Sequence, residues 1–482
     1  MLTPLASLAT RPTLSPLDGR YAAVTAPLLD YLSEPALNRA RLQVEVGWFE
    51  HLAASGALPG VPRLEDRDRN YLHGIVRGFG EQEIAELAEI ERETQHDVKA
   101  IEYLLRSRLA AAPSALGPGT ALGPALNPLI HFALTSEDVN SLAYALTVKG
   151  AVEQVWAPAA RAVTADLAAL ARATKDVAML ARTHGQAATP TTLGKELAVL
   201  ARRLRRQLAR ISRDEYLGKL NGATGTYGAH AAAAPAADWP AVSRTFVESL
   251  GLTWNPLTTQ IEPHDWQAEL YSDIARFGRV LHNLATDMWT YISLGYFAQT
   301  RGMGTVGSST MPHKVNPIRF ENAEANLEIS AALLDALAAT LVTSRLQRDL
   351  TDSSTQRNIG VALGHSLLAI DNIRRGLTSL DVAPGPIAED LAANPEVLAE
   401  PIQSAMRAAA LAGTPGMDNP YERLKELTRG RRVTLEQIRE FVDGLGLPAA
   451  MAARLRGLDP ASYTGLASRL VDEYLEPEET EG

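Results

Sequence analysis

Apolar residues recur along this chain mostly at helical spacing. Between 193 and 211, Leu193, Leu197, Leu200, Leu204, Leu208 and Ile211 step by three or four, which puts them on one stripe of an amphipathic helix. A second stripe runs through Leu270, Ile274, Phe277, Leu281, Leu284 and Met288, within a helical stretch from 269 to 299. A helix of that length is roughly 45 Å long at about 1.5 Å per residue. Several side by side predict an elongated bundle. Further helical patterns fall near 36–55, 81–112, 322–341 and 355–377.

The breaks between these patterns suggest the organisation. Residues 110–128, AAAPSALGPGTALGPALNP, read as a loop or domain boundary because proline and glycine punctuate them so densely. After about 378 the pattern shortens, with Pro384, Pro386 and Pro395 interrupting it, and the chain closes on the acidic tail DEYLEPEETEG. The expected division is an N-terminal helical domain over 1–125, a central long-helix bundle over 126–377 and a C-terminal helical domain over 378–482. Strand-like alternation is not convincing anywhere. Gly302, Gly304 and Gly307 come close to a dinucleotide-binding spacing but follow no strand, so that reading fails. The fold class expected is all-α.

Composition sharpens this picture. At 482 residues the chain is too long for one core, and its scarcity of aromatics (6%) beside abundant alanine and leucine favours helices. A formal charge of −10 argues against nucleic acid or an anionic membrane as the main partner. A local cationic cluster can still bind a small anion. The absence of cysteine removes thiolate nucleophiles, disulfides and cysteine-ligated zinc. There is no basic stretch at the N-terminus and no apolar run of about 18 residues. A cytoplasmic protein is expected.

Four polar clusters interrupt the helical patterns. In Arg182-Thr183-His184-Gly185-Gln186, His184 falls in a connection, and Thr189-Pro190 after it looks like a helix cap followed by proline. In His131-Phe132-Ala133-Leu134-Thr135-Ser136-Glu137-Asp138, Thr135 and Asp138 have capping-box spacing. That helix start offers amides and hydroxyls to an anion, or is simply well capped. Arg345-Leu346-Gln347-Arg348-Asp349 precedes a Ser/Thr-rich helix start from Thr351 to Asn358, a donor set that suits a phosphate or carboxylate and equally a salt-bridged turn. The fourth, GSSTMPHKVNP at 307–317, crowds hydroxyls, His313, Lys314 and Asn316 beside Gly302, Gly304 and Gly307. Such a segment is equipped to close over a substrate and stabilise an oxyanion.

At this last cluster a family resemblance becomes specific. GSSTMPHKVNP resembles the signature of the fumarase/aspartase superfamily. Matching motifs extend along nearly the whole chain: Asp18-Gly19-Arg20-Tyr21, Thr94 to Val98, His131 to Asn140, Arg182 to Gln186, Thr259 to Asp265 and Gln347 to Ser353. The His313 variant and the later motifs resemble the long bacterial form of the branch that cleaves succinylated purine nucleotides. Members of other branches, which release fumarate from argininosuccinate, malate or aspartate, share the same half-site, and a non-catalytic structural relative is the remaining alternative.

The resemblance implies a three-domain, all-α fold, association into a homotetramer with active sites shared between subunits, and no cofactor or metal. It implies β-elimination of fumarate from adenylosuccinate to leave AMP, and from the succinyl-carboxamide ribotide SAICAR to leave AICAR. It implies Ser308 as the base that takes the carbon-bound proton, His184 as the acid to the departing nitrogen, Lys314 as charge stabiliser and Glu321 as the support for the acid. Arg20, Tyr21, Ser353, Ser354, Thr355, Gln356 and Arg357 resemble phosphate and ribose contacts. Gln95, His96, Asp97, Thr135, Ser136 and Gln260 resemble contacts to the nucleotide and succinyl groups, His96 and His131 match positions that contact the substrate phosphate or shape the site, and Val315, Asn316 and Arg348 complete the set, with Arg348 and Lys314 holding carboxylates.

Overall fold

The computed structural model describes residues 13–300, 311, 314–428 and 433–475. The architecture is all-α. Among the described residues the strands are two or three residues long and form four two-stranded pairs. The two stripes read from the sequence are buried: Leu193, Leu197, Leu204 and Ile211 in the helix Leu193–Ile211, and all six apolar positions from Leu270 to Met288 in the helix Asp265–Ser293. Helices Ile318–Leu341 and Ile359–Thr378 match the patterns expected at 322–341 and 355–377.

The chain forms two compact units, each assembled from separated segments. The first comprises 1–160, 207–279 and 326–369. Its N-terminal part is built on the helix Glu34–Ser55, which Ser33 caps through its Oγ and Gly56 ends in the left-handed region (φ 70°). Trp48, Phe49 and Leu52 from this helix are fully or almost fully buried with Leu104, Leu142 and Val148 of the same unit. The indole of Trp48 donates to the Phe132 carbonyl at 3.1 Å, fixing the chain just before the helix Ser136–Ala151. Elsewhere in the unit, Trp156 packs edge-on to Phe277 and donates to Ser366 Oγ at 2.8 Å.

Two sequence expectations here need correction. The pattern at 81–112 is two helices, Glu81–Thr94 and Asp97–Leu116, because Gln95 turns left-handed (φ 54°) and His96 starts the second helix, its Nδ1 accepting from the Lys99 amide at 3.2 Å. The stretch 110–128 is not a loop throughout. Its alanines carry the second helix to Leu116 with Pro113 inside it, and a 3₁₀ turn spans Pro124–Leu129. Proline interrupts one backbone hydrogen bond there, and the buried Leu109 and Ala112 hold the turn in place.

The second unit comprises 161–206, 280–325 and 370–482. Short helices from Pro384–Ala392 onward, as the prolines suggested, close a core around Leu398, Ile402, Met406, Ile438 and Val442. Thr189-Pro190 does not start a helix. Thr191–Thr192 pairs with Ala178–Met179, and the helix begins at Leu193, where Thr192 Oγ1 accepts from the Lys195 amide. The strand Phe297–Gln299 pairs antiparallel with Leu380–Val382.

Candidate active site

Several residues singled out from the sequence are joined in the first unit by one partly buried line of polar contacts. Asp97 pairs with Arg41 at 2.8 Å, and Arg41 donates to Asn140 at 2.9 Å. Asn140 donates to Glu137 at 2.7 Å, and Glu137 pairs with Arg348 at 2.8 Å. Arg348 in turn donates to Ser353 Oγ at 3.1 Å. A cleft of about 330 Å³ opens beside this line, lined in part by Arg41, Asp97, Tyr144, Gln356 and Arg357. Gln356 is fixed by the amide of Gln267 at 3.2 Å. Among the described residues the Arg357 guanidinium makes no hydrogen bond or ion pair, so its donors are available to an anion.

Charge is arranged with care along this line. Burial alone would push Asp97 up, but the Arg41 guanidinium and the Val98 amide hold its carboxyl below the usual range. Glu137 sits the other way: burial raises it, and Arg348 and Asn140 offset that only in part. Burial also pushes the Tyr144 phenol up to about 12, keeping it neutral. Asp352, beside Ser353, is buried yet held low by His264, whose Nε2 lies 3.5 Å from it, and by the Ser353 amide.

Around the start of the helix Ser136–Ala151, Thr135 donates its amide to Asp138, completing the expected capping box. Asp138 also receives Lys219 Nζ at 2.7 Å, with neither side chain exposed, and the amides of Asn221 and Gly222. Lys219 donates further to the carbonyls of Gly222 and Gln260. His131 is held by Glu45, ring to carboxylate at 2.6 Å and amide to carboxylate at 3.1 Å. Its burial would lower it, but Glu45, Glu102 and Asp138 prevail and raise it, so it carries charge more readily than a free imidazole.

The remaining first-unit residues are less engaged. Arg20 and Tyr21 stack as a cation–π pair, 5.9 Å from guanidinium to ring, and neither lines the cleft. Gln95 and His96 form the exposed turn between their two helices. Ser136 and Ser354 flank the helix starts, Thr355 Oγ1 donates back to the Thr351 carbonyl, and the Gln260 side chain donates to the Ala223 carbonyl.

In the second unit, Arg182–Thr183 and Gln186–Ala187 form a hairpin whose two turn residues are His184 (φ 53°) and Gly185 (φ 75°). Two consecutive positive φ angles are those of a type I′ turn, whose twist suits a hairpin. The turn carries the His184 imidazole on an exposed tip. Glu321 opens the helix Ile318–Leu341 and accepts from the Trp289 indole at 3.1 Å. Among the described residues no hydrogen bond or ion pair joins it to His184. Lys314 and Asn316 are exposed, and the Val315 carbonyl accepts from the Gln299 side chain at 2.9 Å. Ser308, His313 and the glycines at 302, 304 and 307 lie outside the described residues.

Backbone strain marks the same places. Of eight non-glycine residues with left-handed φ among those described, Gln95, His131, Ala133, His184, His264 and Leu346 fall inside the motifs singled out from the sequence. Each such residue costs on the order of 1–3 kcal/mol and persists where its surroundings demand it, most often at functional sites.

Residues 19–328 match the family model described as lyase, and residues 344–464 match the model described as adenylosuccinate lyase C-terminal. The adenylosuccinate lyase of Escherichia coli (strain K12) is 47% identical over 97% of this chain and 99% of its own length. That of Vibrio cholerae (strain O395) is 46% identical over 95% of this chain and 98% of its own. The chain belongs to the adenylosuccinate lyase family.

Solved structures resemble this member of the adenylosuccinate lyase family in fold alone. A fumarate lyase from Mesorhizobium sp. BNC1 has a TM-score of 0.73 at 20% identity, over 93% of this chain and 97% of its own. A 3-carboxy-cis,cis-muconate lactonizing enzyme from Pseudomonas putida has a TM-score of 0.69 at 20% identity, over 93% of this chain and 96% of its own. Sequence reasoning missed Arg41, Glu45 and Lys219, which make the polar contacts of the candidate site, and touched His264 only as part of the Thr259 to Asp265 motif. Lys219 left a signal: a lone lysine between leucines, in Leu217-Gly218-Lys219-Leu220, has a burial that needs a partner.

Proposed function

We propose that this chain eliminates fumarate from adenylosuccinate to give AMP, and from SAICAR to give AICAR, in the cytoplasm and as a homotetramer. The observation that supports this reading best is the partly buried line from Asp97 to Ser353 beside a cleft carrying the Arg357 guanidinium, which is unpaired among the described residues. A phosphorylated, multiply anionic substrate needs such donors, whereas malate or argininosuccinate has no phosphate to place there.

The chemistry sets two demands. Removing a proton from the carbon beside a carboxylate builds a doubly charged aci-carboxylate, and each preorganised donor lost at such a charge costs about 10²–10³ in rate. Lys314, Asn316 and Arg348 are the groups for that charge. Ser308, as alkoxide, takes the carbon-bound proton, the carbon–nitrogen bond breaks, and His184 delivers a proton to the leaving purine or carboxamide nitrogen. Glu321 is the group proposed to support His184, though no hydrogen bond or ion pair joins the two among the described residues, and Arg20, Tyr21, His96, His131, Ser353 and Arg357 bind phosphate and ribose.

Purified protein in separate cuvettes with adenylosuccinate, argininosuccinate and malate tests the reading by ultraviolet absorbance. Loss of adenylosuccinate absorbance with fumarate release is expected. Turnover of either other compound in its place would overturn it. Ser308→Ala is expected to abolish most turnover, and near-full activity in that variant would overturn the assignment of the base.

A further inference from the structure

The hairpin that carries His184 has only two residue pairs, closed at its base by the Ala188 amide on the Ala181 carbonyl at 2.8 Å. Two-stranded hairpins are marginally stable on their own. A proton donor must nevertheless be held closely, because a shift of about 1 Å can cost on the order of 10²-fold in rate. The structure supplies a restraint two residues before the acid. Arg182 donates to the Tyr296 hydroxyl at 2.9 Å and to Asp390 at 2.7 Å, and the Tyr296 hydroxyl donates to the same Asp390 oxygen. The three groups close a triangle.

Each corner is anchored to a different element of the second unit. Tyr296 is almost fully buried and opens the strand Phe297–Gln299, and its carbonyl accepts from the Ala383 amide at 2.9 Å. The same strand holds the Val315 carbonyl through Gln299, next to Lys314. Asp390 lies on the helix Pro384–Ala392, whose Leu391 packs with Leu180, two residues before Arg182. The acid's hairpin is thereby tied both to the strand that leads toward the signature segment and to the residue following that segment's lysine.

We propose that Arg182, Tyr296 and Asp390 form a clasp of positioning residues that sets the direction of the His184 imidazole. The inference rests on His184 being the general acid. None of the three need touch substrate; they act through the hairpin.

A double-mutant cycle in the full-length enzyme tests it. Tyr296→Phe and Asp390→Asn are expected to lower kcat about 10–100-fold with KM changed less than about threefold, while the melting temperature moves little. In a His184→Ala background the same changes should cost less than about twofold, because the group they aim is gone. Arg182→Lys, which keeps one donor, should retain more activity than Arg182→Met. Equal losses in both backgrounds would mean a general structural role and overturn the clasp, as would unchanged kcat in both variants. If His184→Ala alone keeps wild-type turnover, the acid assignment itself is wrong, an outcome distinct from failure of the clasp. Should Asp390→Asn fold poorly, Tyr296→Phe decides, since it leaves the Arg182–Asp390 pair in place.

Discussion

Glu45 presents both oxygens to one residue, receiving the ring of His131 at 2.6 Å and its amide at 3.1 Å, and is itself wholly buried. The carboxylate thus does two things: it holds a left-handed backbone (φ 56°) and favours the imidazolium. Because the folded pKa of His131 is raised, its contribution to stability is complete below about pH 6.5 and disappears as pH rises through the folded value. Glu45→Gln keeps the shape and removes the charge. It should lower stability by about 1–3 kcal/mol near pH 6 and by less near pH 9. Melting temperatures of the two proteins across that range check the sign. A loss that grows with pH would contradict it.

Lys219 and Asp138 show no exposed side-chain surface, and the ammonium also satisfies two carbonyls. Lys219→Met leaves a buried carboxylate with amide donors but no counter-charge, a change that typically costs about 3–5 kcal/mol. The variant should melt far below the parent and bind AMP weakly even where folded, since the start of the Ser136–Ala151 helix loses its anchor. Calorimetric titration with AMP below the melting range separates the two effects.

Arg348 stands between Glu137 and Ser353. If it holds a substrate carboxylate, Arg348→Met should cost about 1.5–3 kcal/mol in binding, or roughly 10–100-fold in KM. A second effect follows from Glu137, already raised by burial despite the guanidinium. A raised carboxyl costs nothing while protonated in both states, and its penalty appears as pH climbs above the unfolded value near 4.5. Without Arg348 that penalty grows. The stability deficit of the variant should therefore be larger at pH 8 than at pH 5, measured by thermal melts.

The parts of this fold legible in the sequence are those set by periodicity. Leu270 to Met288 step as a helix must, and all six are buried because no other face of that helix is apolar enough to take their place. The break at Gln95 was hidden because glutamine, not glycine, takes the left-handed turn, and Pro113 misled because surrounding burial outweighs one lost hydrogen bond. At the site, the motif residues were visible as unusual combinations of polar groups near helix starts. Their partners were not. Glu45 lies 86 residues from His131, and Asp390 lies 208 from Arg182. Each is an unremarkable charge within a helix until folding brings it to its counterpart.

The turn at His184-Gly185 allows a test of backbone geometry at the proposed acid itself. A Cβ built on Gly185 meets nothing within 4 Å, so any cost of substitution there comes from its φ of 75° alone. A left-handed alanine costs roughly 1–2 kcal/mol, while asparagine tolerates that region with less strain. A turn relieved of that strain by opening would carry the imidazole with it, since the contacts of Arg182 restrain the base of the hairpin and not its exposed tip. Turnover should consequently fall in the order Gly185, Gly185→Asn, Gly185→Ala, Gly185→Val, with KM changing much less than kcat because the groups proposed to bind the nucleotide lie elsewhere in the chain. Melting temperatures should stay within a few degrees across the series, since about 1–2 kcal/mol at an exposed turn is locally absorbed. Steady-state kinetics of the four proteins settles the order. Equal activity for the alanine and asparagine variants would show that the turn's handedness does not aim His184, and a loss expressed mainly in KM would move this residue from proton delivery to substrate binding.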